Sequence, residues 1–264
     1  MFYLLQFDGP VLFAVVCVIL FAGLVHGTLG LGFPMVATPM LATMMDVRSA
    51  ILLTLLPTMA VNIASIINSR ESLSSTRPFI PLVGFTLLGS IAGASILAIT
   101  DPAPFRILLA SLILLYPWSS LRISRQWLDD NAMIAMAGFG IAAGLSAGTT
   151  NVMIAVLIIY FLSLDTARAT MVPALNACFL VGKASQMIVL AIAGLVGFSL
   201  IIETTPLAFA AIAALLLGQR LRSRIEVATY QSILRKLLLL LAAILIYQFL
   251  NEAQLIPWAT PRID

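Results

Sequence analysis

The sequence predicts an all-α polytopic membrane protein, and three observations carry that expectation. The 264 residues are 61% hydrophobic and only 9% charged, the mean hydropathy is +1.10, and apolar runs recur from end to end. A soluble domain carries about 25% charged residues, so a soluble core of this size would leave too little polar surface to coat it. A bilayer core of about 30 Å takes about 20 apolar residues of helix. A membrane β-barrel is excluded by pattern, because barrel strands alternate apolar and polar over about 10 residues whereas these runs are apolar on both parities.

The net charge of +3 comes from basic residues scattered one or two per junction, so no basic face tracks a phosphate backbone and no nucleic acid partner is expected. Cys17 and Cys178 lie inside separate apolar runs and read as packing residues, not as a disulfide or metal framework. The N-terminal stretch MFYLLQFDGP lacks the basic start of a cleaved signal, so the first run is expected to stay as a helix.

Eight hydrophobic segments follow in order: 11–45, 49–69, 78–99, 105–120, 132–164, 168–193, 199–219 and 230–250. Their junctions are short, which leaves no room for an extramembrane domain. With the N-terminus outside, Arg48, Arg106, Arg168, Arg220, Arg222, Arg224, Arg235 and Lys236 fall on the cytoplasmic side, against Arg70, Arg77, Arg122, Arg125 and Arg262 outside. Trp118, Trp127 and Trp258 stand at run ends, as interfacial tryptophans do.

The first and fifth segments span 33 to 35 residues, about 50 Å of helix at 1.5 Å per residue. Each must be tilted, broken or re-entrant, and each carries a break signal: HGTLGLGFP in the first and SAGTTN in the fifth. The two also match, Gly23-Leu24-x-x-Gly27-Thr28 against Gly144-Leu145-x-x-Gly148-Thr149, and the match continues into junctions with Asp46 and Arg48 or Asp165 and Arg168. Two homologous four-segment repeats, 1–130 and 131–264, are the expected organisation. Both a parallel and an inverted relation between them remain open.

Paired interrupted helices in two halves of a membrane protein point to a transporter's binding site. A half-helix that starts at a break aims free N–H groups and its positive end into the cavity, which suits an anion. Gly23 and Gly144 are expected to pack helices closely. Gly27, Thr28, Gly148, Thr149, Thr150 and Asn151 are expected to line the cavity, with Ser146 a further hydroxyl there. Thr58, Asn62, Ser65 and Ser69 step along one face of the second segment, and Asn176, Lys183 and Gln186 along one face of the sixth. Under the offset that aligns the glycines, Asn62 corresponds to Lys183 and Ser65 to Gln186.

Lys183 is the sharpest residue, because an ionisable group about 15 residues into a 26-residue apolar run costs about 2.5–3.5 kcal/mol on insertion scales and marks a functional position. His26 is the only histidine and, with Lys183, a candidate for proton coupling. Glu203 reads as interfacial. No carboxylate pair, metal-ligand cluster, nucleotide loop or nucleophile–base arrangement is present, so neither catalysis nor a cofactor is expected.

At the repeated glycine segments and their acidic–basic junctions, the chain resembles the TauE/SafE sulfite exporter family of bacterial permeases over nearly its whole length. That resemblance implies a secondary transporter of small anions, mainly sulfur oxyanions and organosulfonates such as sulfite or sulfoacetate. The family's denser GxGGG tract reads here as Gly27-Thr28-Leu29-Gly30-Leu31-Gly32-Phe33-Pro34, and in the second half as Gly148-Thr149-Thr150-Asn151. The expectation is alternating access in the bacterial inner membrane, N-terminus periplasmic, as monomer or homodimer in the lipid bilayer. A membrane-embedded enzyme, a structural subunit of a membrane complex and a passive anion channel are the competing readings.

Overall fold

Helices satisfy their own backbone groups in hydrocarbon, and the computed structural model, which describes residues 8–68, 73–115, 122–221 and 227–252, is helical throughout with no strand among those residues. The order is α1 (Gly9–Leu29), α2 (Phe33–Ala42), α3 (Val47–Asn68), a 3-10 turn (Leu73–Phe79) leading into α4 (Ile80–Ile99), and α5 (Ala103–Leu115). After it come α6 (Arg125–Asp130), α7 (Ala132–Thr150), α8 (Ile154–Ser163), α9 (Arg168–Ile192), α10 (Phe198–Leu221) and α11 (Val227–Glu252). Seven helices among the described residues are long and apolar enough to cross a bilayer, and α2, α5 and α8 are shorter apolar helices. Large side chains left outward, such as Phe13, Ile99, Ile192, Phe198 and Phe209, suit lipid.

The two overlong segments are each a long helix, a three-residue break and a 10-residue helix. The breaks have a local cause. Gly30 (φ 85°) caps α1 and Gly32 (φ 103°) opens α2, both in the left-handed region that glycine adopts freely. In the second half Asn151 (φ 68°) caps α7, asparagine being the other residue that tolerates that conformation.

Helix directions follow from close contacts. A Cβ on Gly23 would meet Ala211 and Ala214, and one on Gly27 would meet the backbone of Leu215, Gly218 and Gln219, so α1 and α10 run parallel. In the same way Gly140 faces Leu82 and Phe85, Gly144 faces Thr86 and Ser90, and Gly148 faces Ser90 and Ala94, which makes α7 parallel to α4. Asn68, near the end of α3, lines one pocket with Gln219 and Arg220, near the end of α10. Arg48, at the start of α3, donates to the Leu97 and Thr100 carbonyls at the end of α4. Ser65 of α3 meets Asn176 of α9, whereas Thr54, earlier on α3, is linked through Asn151 to Lys183, later on α9. Hence α1, α3 and α10 point one way and α4, α7 and α9 the other. Thus α1 runs opposite to α7, α3 opposite to α9 and α4 opposite to α10.

The expected tally of basic residues assumed one crossing per segment and changes accordingly. Because α2 turns back, the face where α3 and α10 end, here the upper face, gathers Arg77, Arg122, Arg125, Arg168 and Arg220. Arg48 and Arg106 lie at the lower face, with the start of α1 and the end of α11; there Arg106 pairs with Glu252, and Gln248 reaches the Thr43 carbonyl at 3.0 Å. Arg70, Arg222, Arg224, Ser69, Trp118, Trp258 and Arg262 lie outside the described residues.

Candidate functional site

Lys183 is fully buried on α9. It stands nine residues before Ile192, where α9 ends, about 14 Å along the helix from the lower face. Its ammonium donates to Oδ1 of Asn151 and Oε1 of Gln186. Gln186, one turn further, donates to the carbonyl of Gly148 (2.9 Å), a group the last turn of α7 leaves open, and to that of Ala147 (3.3 Å), which also accepts the Asn151 N–H. Asn151 donates its amide to Thr54 (2.8 Å) and Thr38 (3.0 Å). The second break is therefore fastened to α9 on one side and to α2 and α3 on the other.

Every acceptor around Lys183 is neutral, and none of the ion pairs among the described residues involves it. The negative end of α7 contributes only about half an elementary charge. A lysine ammonium here carries positive charge that nothing else in the site cancels in full.

The equivalent place at the first break is built differently. Asn62 is buried and neither side-chain polar atom finds a partner; Asn176 donates to Ser65 Oγ at 3.4 Å, but its Oδ1 is unpaired. His26 accepts the Phe33 N–H on Nδ1 at 3.3 Å, which fixes the ring against the start of α2, and its Nε2 is unpaired.

Sequence-predicted residues divide three ways. Lys183, Gln186 and Asn151 come together with the Gly148 carbonyl, and Asn62, Ser65, Asn176 and His26 lie toward the first break. Thr28, Thr149 and Thr150 direct their hydroxyls to their own helix, bonding Val25, Leu145 and Ser146 carbonyls at 2.7 to 2.9 Å; Ser146 and Thr58 do the same toward Ala142 and Thr54. Gly27 and Gly148 are corrected: their Cα faces meet the backbones of α10 and α4, so they pack as Gly23 and Gly144 do. The acidic–basic junction is structural too, since Asp46 accepts the Ser49 N–H at 3.0 Å, as an N-cap does, while Arg48 caps α4.

Three partners escaped sequence reasoning. Thr38 and Thr54 hold Asn151, and Ser90 donates to the Gly182 carbonyl at 2.7 Å. Thr54 lies one turn before Thr58, so the polar stripe on α3 contained the signal. Thr38, between Pro34 and Pro39, gave none.

Asn151 supplies a clean test of the break. Asn151→Ala should lower the thermal midpoint in detergent, losing three hydrogen bonds and adding about 1–2 kcal/mol of left-handed strain. Asn151→Gly, which loses the bonds without the strain, should lower it less.

A family model described as sulfite exporter TauE/SafE matches residues 15–248. No curated protein and no solved structure matches the chain.

Proposed function

The chain belongs to the sulfite exporter TauE/SafE family, a family of membrane transporters, and from that premise we propose that it carries a small anion, a sulfur oxyanion or organosulfonate, by alternating access. The observation that carries this reading is Lys183: a buried ammonium whose acceptors are all neutral. An anion bound there completes the charge balance in a medium of low dielectric constant, where an uncompensated charge is costly. Asn151 and Gln186, whose amide N–H groups go to Thr38 and Thr54 and to the Gly148 and Ala147 carbonyls, hold the ammonium in place for it.

Two halves, 1–130 and 131–264, related as inverted repeats fit the opposed directions of their helices. Such repeats rock against one another around a shared site. Basic residues at the upper face, Arg77, Arg122, Arg125, Arg168 and Arg220, with Arg235 and Lys236 in the upper half of α11, against Arg48 and Arg106 at the lower, favour an upper face in the cytoplasm and a periplasmic N-terminus in the bacterial inner membrane.

A thermal-shift series on the purified protein with sulfite, sulfoacetate, thiosulfate and simple carboxylates tests the substrate class. The true substrate should stabilise by about 2.7 kcal/mol at 100 times its Kd. Absence of a shift with every anion would sink the proposal. Coupling to protons through His26 or Lys183 requires that an imposed pH gradient change sulfite flux into liposomes. Indifference of the flux to the gradient removes the coupling and leaves the carrier.

A further inference from the structure

Four side-chain polar atoms near the first break are buried without a partner: His26 Nε2, Asn62 Nδ2 and Oδ1, and, from the face of α9 that meets α3, Asn176 Oδ1. Native proteins satisfy nearly all such atoms, and a cluster left open calls for a bound molecule. The four share a neighbourhood. Ser65, one turn from Asn62 on α3, bonds Asn176; Val172, one turn before Asn176 on α9, abuts Gly30; and the Gly30 N–H bonds the His26 carbonyl.

This neighbourhood lies under an open pocket. Asn68, one turn beyond Ser65 on α3, lines a cavity of about 330 Å³ with Leu216, Gln219 and Arg220 of α10. Gly27, next to His26, packs on the backbone at Gln219. Arg220 is exposed and forms no ion pair with a described residue, so its guanidinium is free to attract an anion into the pocket. Lys183 belongs to a different level, close to Thr54 and toward the lower face.

We propose that His26, Asn62 and Asn176 form a second, uncharged site at the first break, entered from the upper face past Arg220, where a partly hydrated oxyanion is held before it reaches Lys183. This rests on the transport reading above. With Nδ1 accepting from Phe33, a neutral His26 ring carries its hydrogen on Nε2 and donates, as does the Asn62 amide. The Asn62 and Asn176 oxygens accept from water that travels with the anion. A neutral, mixed set binds weakly enough to release its guest, while the lysine holds it more firmly.

The test uses full-length protein in proteoliposomes, with Cys17 and Cys178 replaced by alanine and Ser65→Cys introduced. A membrane-impermeant thiol reagent should label Cys at 65 only from the face where α10 ends. Sulfoacetate at about ten times its Kd should slow the labelling about tenfold. In the same vesicles Arg220→Gln should raise the KM for sulfoacetate flux severalfold and leave kcat near the parental value. Labelling from neither face, labelling from the opposite face, or labelling that sulfoacetate leaves unchanged while the parent chain still transports it, overturns the second site. Loss of transport in the parent chain itself instead overturns the transport reading.

Discussion

Lys183→Ala is expected to abolish anion binding and transport. Removing one partner of a buried, hydrogen-bonded charge interaction costs about 2–5 kcal/mol, which is about 30-fold to several thousand-fold in affinity at 1.4 kcal/mol per tenfold. The ammonium also ties Asn151 and Gln186 together, so the variant loses a structural clip as well as a charge. Lys183→Met separates the two roles, because it keeps most of the buried stem and lacks only the charged head. Binding should vanish in both variants, with the methionine protein retaining more of its thermal stability. Labelled sulfite or sulfoacetate entering liposomes with either variant at the parental rate would refute the assignment.

The second large effect concerns folding. Gly148→Val places a branched side chain where even a Cβ would sit against Ser90 O and Ala94 N, both backbone atoms that no rotamer change can move. Gly27→Val does the same against Leu215 and Gln219 of α10. Overpacking of a core costs about 1–3 kcal/mol when side chains can adjust, and more when they cannot. Both variants should lose most of the folded, monodisperse protein in detergent extraction followed by size exclusion. Gly84→Ala and Gly138→Ala, where nothing lies within 4 Å, should behave like the parent. Equal yields for the buried and open sets would mean that α1 and α10, or α4 and α7, are not in the contact described.

The same glycines show where sequence reasoning reached and where it stopped. Gly23 and Gly144 were readable as packing residues from their four-residue spacing. Gly27 and Gly148 looked like cavity residues because threonines follow them, yet those hydroxyls return to their own helices. A threonine in a helix has a carbonyl of the preceding turn within reach, so its presence in an apolar run says little about a pocket. Lys183 was legible for the opposite reason: no backbone group can neutralise an ammonium, and its burial demands an explanation. The unpaired atoms of Asn62 and Asn176 became visible only when their neighbours were known.

What the sequence determined by itself was everything set by local composition. The apolar runs dictated helices in a bilayer; Gly30, Gly32 and Asn151, residues that accept positive φ, dictated where two of those helices break; and Lys183, deep inside an apolar run, marked one site. The tertiary structure alone decided that α1 pairs with α10 and α4 with α7, that α1 and α7 run in opposite directions, and that Arg48 and Arg220 belong to opposite faces. Those facts depend on which surfaces, more than 100 residues apart in some pairs, fit when brought together. A turn inside a long apolar segment reverses the chain without changing its composition, so the direction of every later helix is written in contacts and not in hydropathy.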